Sequence, residues 1–280
     1  MNKEILIICR GGGDLATGIV HRLFRAGYQV LILETAEPAA IRRQVSFCEA
    51  VYEGTATVEG VTAERIYTAK KQAVEEVLQR GRIPLLVDPD GRSIEVLKPD
   101  VVVDAIIAKK NLGTYKEMAP LVIGIGPGFV AGEDVHLVVE SMRGHNLARI
   151  LETGSALANT GIPGNIGGYT KERVILAAAE GYMKNLHQIG DVVRKGEKIA
   201  RIYEQMSPEG VFSGRFVSVE ATIPGVLRGL IREGYHFQKG FKIADIDPRE
   251  GELANCFTIS DKASSIGGSV LEAVCRYVNG

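Results

Sequence analysis

The sequence predicts an α/β protein. An N-terminal Rossmann-like doubly wound parallel sheet is followed by a C-terminal β barrel-sandwich-hybrid-like module and a C-terminal helix. Three observations predict it. Short apolar runs alternate with amphipathic segments from Glu4 to about Gly126, which implies right-handed βαβ units. A glycine turn directly follows the first apolar run. Further on, the stretch from Gly190 to Ile202 recurs as Gly234 to Ile246, with seven of its thirteen positions identical.

Taken in order, strands are expected at 5–9, 30–33, 65–67, 84–88, 101–104 and 121–125. Several carry Val, Ile and Leu on consecutive positions, as strands buried on both faces do. Helices are expected at 14–26, with Leu15, Ile19, Leu23 and Phe24 at helical spacing, and at 70–80, with Ala73, Val74, Val77 and Leu78. Residues 1–134 form the expected Rossmann-like nucleotide-binding domain. Residues 135–180 are a Gly-rich connecting region, with short strands at 135–140 and 148–151. Residues 181–248 hold the repeat, whose copies read as turn–strand–turn–strand and predict pseudo-twofold β structure. Residues 249–280 are a C-terminal helical segment, with an apolar stripe of Ile266, Val270, Leu271, Val274 and Val278.

Composition excludes several classes. The 280 residues are 45% hydrophobic and 24% charged, with a formal net charge of −1. That balance gives no footprint for nucleic acid. No apolar run reaches the ~18 residues of a membrane span. Cys9, Cys48, Cys256 and Cys275 contain no C-x-x-C pair, so no disulfide framework or zinc knuckle is expected. A soluble cytoplasmic protein is the expectation.

Gly11-Gly12-Gly13-Asp14-Leu15-Ala16 is the G-x-G-x-x-A variant of the dinucleotide fingerprint. Gly11 permits the tight turn, Gly13 a close backbone approach to pyrophosphate, and Ala16 close helix–strand packing. The phosphates would sit on backbone N–H groups at a helix N-terminus. Glu34 ends the second expected strand, where a carboxylate accepts ribose hydroxyls and repels a 2′-phosphate. A nucleotide ligand is expected, with NAD or a related dinucleotide favoured over NADP. The alternative is a glycine turn that serves packing alone, with Glu34 solvated.

Other groups carry weaker signals. Asp88 and Asp104 stand at strand ends, and Lys109, Lys110 and Asn111 follow Asp104. Asp104 and Lys109 are candidate catalytic residues or a surface ion pair. Gly126 and Gly128 belong to a second glycine loop, a candidate phosphate or pterin cradle or a plain connector. Asp134, His136, Glu140, Arg143 and His145 cluster in sequence, the first three on one strand face by period two. Arg143 suits anion capture, and His145 is a third catalytic candidate. No metal site is expected, because the histidines lack a tight ligand spacing. Cys9, beside the glycine loop, is either a nucleophile activated by the helix N-terminus or a thiol buried in the sheet.

The run RGGGDLATGIVHRLFRAGYQVLILE, the segments GPGFVAGEDVH, RGHNLAR and NTGIPG, and the stretch KGFKIADIDPR resemble one bacterial family along essentially the whole chain. It is the selenium-dependent molybdenum hydroxylase accessory family, YqeB-type, distantly similar to XdhC-type xanthine dehydrogenase accessory factors. The repeat resembles the halves of a biotinyl/lipoyl-type domain, whose carrier lysine has no counterpart in Tyr203–Gly210. The resemblance implies an accessory or maturation role with a molybdopterin-type cofactor as ligand. It also implies a molybdenum hydroxylase apoenzyme or a selenium donor as partner, and leaves room for a homo-oligomer. It supplies no catalytic residues. Two other readings stay open: an NAD-dependent oxidoreductase, and a non-catalytic docking scaffold with a vestigial nucleotide site.

Overall fold

The computed structural model describes residues 5–161 and 164–280. Ile162 and Pro163, inside the NTGIPG stretch, lie outside the described residues, as do Met1 to Glu4. The chain divides into two units. Met1–Pro38, Val45–Thr160 and Ile259–Gly280 form the first, and Ala39–Gln44 with Gly161–Thr258 form the second.

The first unit is built from β1 (Leu6–Arg10), α1 (Asp14–Arg25), β2 (Gln29–Glu34), α2 (Ala50–Glu53), β3 (Thr55–Val58) and β4 (Val61–Ile66). It continues through α3 (Lys71–Gln79), β5 (Ile83–Val87), α4 (Ser93–Leu97), β6 (Val101–Asp104), β7 (Leu121–Ile125), β8 (Leu137–Val139) and β9 (Ile150–Leu151), and ends with α5 (Asp261–Asn279). Its nine strands form one sheet, ordered β3-β4-β5-β2-β1-β6-β7-β8-β9. Alternate residues of each strand face opposite sides. Ile7 and Cys9 join α1 and α5 on one face, and Ile8 joins Val74, Val77 and Ile94 on the other.

The sheet's two edges correct the expected doubly wound parallel sheet. Glu59 and Gly60 both take positive φ, which turns the chain within two residues and sets β3 antiparallel to β4. At the far edge β9 runs antiparallel to β8. The sheet is therefore mixed. The strand expected at 65–67 is the end of β4, and Tyr67 is outside it and 80% exposed.

α5 packs on α1 through small residues. A Cβ on Gly18 would lie 2.7 Å from Ala263 Cβ, and one on Gly267 would lie 2.7 Å from the Gly18 carbonyl oxygen. Ser260 caps α5, its hydroxyl accepting from the Ala263 N–H at 3.2 Å.

The second unit consists of β10 (Val174–Leu176), β11 (Gly181–Asn185), β12 (Val192–Val193), β13 (Lys198–Met206), β14 (Phe212–Glu220), β15 (Gly225–Leu230), β16 (His236–Phe237) and β17 (Lys242–Asp247). They form two antiparallel sheets, β10-β17-β15-β12 and β14-β13-β11-β16. The first repeat copy supplies β12 to one sheet and β13 to the other. The second supplies β16 and β17 in the opposite sense. Gly190 and Gly234 take positive φ at matching turns, as do Gly196 and Gly240. In place of the expected barrel-sandwich-hybrid-like module, the repeat builds two four-stranded sheets over a core that includes Met183, Ile202, Leu227 and Ile246. Among the described residues, no helix is long and apolar enough to cross a membrane.

Candidate functional site

The glycine loop follows β1 and turns inward. Gly11, at φ +99°, donates its N–H to Leu33 O at 2.7 Å. A Cβ there would lie 2.9 Å from Ala105 O. The Gly12 carbonyl accepts from Cys48 N at 2.8 Å and from Thr17 Oγ1 at 3.2 Å. A Cβ on Gly12 would press on the Cys48 backbone at 3.1 Å. Phe47 N in turn donates to Thr17 Oγ1 at 2.9 Å. The chain around Phe47 and Cys48 therefore closes over Gly12. Only Gly13 of the three faces open space where a Cβ would stand. Asp14 and Leu15 are half-buried beyond it in the first turn of α1, and Ala16 is buried.

Glu34 faces this loop. Its carboxylate accepts from Gly12 N and from Thr35 N, each at 2.7 Å. Burial raises its pKa, against the lowering effect of those two backbone bonds. The group expected to hold a ribose thus serves the loop's own backbone.

Asp104, at the end of β6, is also committed internally. It accepts from Thr114 Oγ1 at 2.6 Å and Ile106 N at 3.1 Å, and lies 3.6 Å from the Arg10 guanidinium. Arg10 donates to Thr114 Oγ1, and to Pro89 O at 3.2 Å and Leu112 O at 3.3 Å. Arg10, Asp104 and Thr114 are all buried. Asp88 accepts from Ser93 N and Oγ at the start of α4. Lys109 is exposed at φ +64° and makes no pair with Asp104. The Cys9 thiol is fully buried, and desolvation, then Asp104 and Glu34, push its pKa far up, so it is no activated nucleophile.

The second glycine loop is likewise a packing device. A Cβ on Gly126 would collide with Ser141 Oγ, and one on Gly128 would lie 2.7 Å from the Lys110 backbone. The cluster expected from Asp134 to His145 divides along β8. Before β8, Asp134 accepts from Val130 N at 2.9 Å, and His136 Nδ1 accepts from Val122 N at 3.0 Å. After β8, the buried Glu140 carboxylate accepts from Met142 N at 2.7 Å and Leu157 N at 2.8 Å. Arg143 binds Asp261 in a two-pronged pair at 2.8 and 2.9 Å. His145 is exposed. Among the described residues, no group of three or more His, Cys, Asp and Glu is placed to hold a metal ion.

One residue escapes the sequence reading. Lys262 is half-buried in the first turn of α5, within the fields of Arg143, Asp14, Glu140 and Asp261. Its ammonium makes no ion pair among the described residues. Burial first, then Arg143, lowers its pKa, and the three carboxylates only partly offset this. A cation in the first turn of a helix also opposes the helix's own dipole. That placement is the one signal the sequence offered.

No family model matches the chain. It is 47% identical over 274 residues to the uncharacterized protein YqeB of Escherichia coli K12, which covers 98% of this chain and 48% of that protein. The chain thus spans about half the length of this curated relative. The match supports a YqeB-type relationship and brings no activity with it. Solved structures give weaker likenesses. The product-bound ectoine utilization protein EutE (DoeB) of Ruegeria pomeroyi is 11% identical, with 86% of this chain and 85% of that chain covered and a TM-score of 0.28. A succinylglutamate desuccinylase of Silicibacter sp. TM1040 is 12% identical, with 86% and 84% covered and a TM-score of 0.26. An aspartoacylase family protein of Mesorhizobium loti is 10% identical, with 86% and 84% covered and a TM-score of 0.28.

The expected function is corrected accordingly. The name of the YqeB relative carries no molybdenum hydroxylase accessory role, no NAD oxidoreductase activity, and no selenium or molybdenum cofactor. The geometry agrees. An open dinucleotide cradle needs Gly12 and Glu34 turned toward a ligand, and here each binds the other.

Proposed function

We propose that the first unit binds a small monocarboxylate, with Lys262 as the group that receives its acid. The observation that carries this reading is the half-buried Lys262 ammonium, which makes no ion pair among the described residues and lies within the field of Asp14 in the first turn of α1. An ammonium shielded from water without a direct ion-pair partner is costly, and a ligand carboxylate in contact with it would offset that cost. The neighbouring acids are already engaged: Asp261 by Arg143, and Glu140 by two backbone N–H groups. Their charges still repel a polyanion, which selects a ligand with one negative charge. Exposed His145 and Arg143 lie in the chain segment after β8 that borders this region.

Isothermal titration of the full chain with acetate, lactate and benzoate at neutral pH tests the proposal. Saturable binding of at least one is expected, lost in Lys262→Met and weakened as pH rises through the lowered Lys262 pKa. No saturable heat with any of them, or equal affinity in Lys262→Met, would overturn it.

A further inference from the structure

The sheet β14-β13-β11-β16 of the second unit has two unlike faces. Met183, Ile202, Val219 and Phe237 point into the core. The opposite face carries a row of aromatic rings. His236 stands opposite Tyr182, Tyr182 opposite Tyr203, and Tyr203 opposite Phe216. Directly opposed residues of neighbouring strands share a face, so each of the four strands contributes one ring. Ring centroids are 4.6 Å apart between Tyr182 and His236, and 5.1 Å apart between Tyr203 and Phe216. Phe212 adds a further ring, 5.4 Å from Tyr203. Paired strands lie ~4.8 Å apart, so the row is about 14 Å long.

The next row is cationic. Lys184 stands opposite Arg201. The Arg201 guanidinium lies over the Phe216 ring at 4.7 Å, and the Lys184 ammonium over the Phe212 ring at 5.1 Å. Lys184 also pairs with Glu233 at 2.8 Å, and His236 lies 3.5 Å from Glu180. Arg201 has no carboxylate partner among the described residues. It donates to the Tyr203 hydroxyl at 3.5 Å, and its Nε is buried without an acceptor. Cross-strand aromatic pairs steady a sheet by themselves. That does not account for rings left in water, and here Phe216 is 47% exposed and His236 is exposed. Charge is also divided within the chain. The whole carries a net −1, yet this unit holds 15 Lys and Arg against 12 Asp and Glu.

We infer that this face binds single-stranded nucleic acid, with bases stacked on Tyr182, Tyr203 and Phe216 and a phosphate received by Arg201. Every unpaired base offers a flat π-face to such a ring, and an arginine beside the ring meets the adjoining phosphate. Four-stranded sheets with aromatic residues on one face accommodate two or three bases in this way. A duplex keeps its bases inside and offers this face only its phosphates. The inference is independent of the Lys262 proposal, which concerns the other unit and a small acid.

Fluorescence anisotropy of a labelled oligouridylate of about ten nucleotides tests it on the full chain at low salt. Saturable binding is expected, weakening as salt rises. An oligothymidylate of equal length separates RNA from DNA as the source, and saturation by either supports the inference. The matching duplex is expected to bind more weakly. Phe216→Leu removes a ring, and is expected to weaken binding roughly fivefold or more without changing its salt dependence. Arg201→Met removes a phosphate contact, and is expected to weaken binding and flatten that dependence. Phe216→Tyr keeps the ring and is expected to retain affinity, as is Lys262→Met in the other unit. Circular dichroism establishes that each variant is folded. No saturable binding, equal affinity for the duplex, or full affinity in folded Phe216→Leu and Arg201→Met overturns the inference. Displacement by heparin as readily as by unlabelled oligonucleotide overturns it too, since that marks a surface for any polyanion.

Discussion

Single residues show most clearly how position and purpose diverge. Asp104 stands where a catalytic acid would, at the carboxyl end of a parallel strand, yet its oxygens are taken by Thr114, Ile106 and the Arg10 guanidinium. Asp104→Ala leaves Arg10 buried without its counter-charge. It is expected to cost ~3–5 kcal/mol in urea unfolding. Lys262 runs the other way. Burial holds its pKa below the usual lysine range, so the folded protein releases this proton at lower pH than the unfolded chain does. Between the lowered value and the ordinary one the unfolded chain binds more protons, so stability rises with pH in that window. Lys262→Met is expected to raise Tm at neutral pH by about 2 °C and to remove that alkaline gain, measured by calorimetry across pH. Asp104 was legible from its strand-end position, whereas Lys262 was hidden, because a lysine in a helix is commonplace until its surroundings are known.

At the scale of elements, neighbouring glycines of α5 make opposite predictions. A Cβ on Gly267 would meet the Gly18 carbonyl at 2.7 Å, whereas one on Gly268 meets nothing within 4 Å. Gly267→Ala is expected to destabilise by ~1–3 kcal/mol through overpacking of α1 against α5. Gly268→Ala is expected to stabilise by up to ~1 kcal/mol, the helix-propensity difference. Urea midpoints of the two variants should therefore move in opposite directions. The parallel strands of the first unit were legible because runs such as Val101–Val103 are buried on both faces. β3 was not, because Thr55-Ala-Thr-Val58 is a short edge strand whose threonines face outward. The period-two grouping of Asp134, His136 and Glu140 failed because β8 is only three residues long. The repeat was legible in its turns and strands. Its exchange between two sheets was not, since identity between copies does not say which strands pair.

On the scale of the whole molecule, two cores coexist in one chain. Ile32 lies in the core of the first unit and Ile246 in that of the second, both fully buried. Ile32→Ala and Ile246→Ala are each expected to cost ~2–5 kcal/mol. Native-state hydrogen exchange should show the loss in Ile32→Ala concentrated on amides of the nine-stranded sheet, and in Ile246→Ala on those of the two smaller sheets. Equal loss throughout both sets would mean that the cores melt as one.

The discontinuous first unit has a consequence for how the chain comes off the ribosome. α5 buries Ile266, Val270 and Val274 in the core of a sheet whose strands were synthesised long before it. Translation proceeds at ~5–20 residues per second, so the apolar flank awaiting α5 stays uncovered for several seconds while the intervening residues are made. During that interval the nascent sheet is a substrate for chaperones that shield apolar surface, and the second unit can fold while the first is still waiting for its last helix.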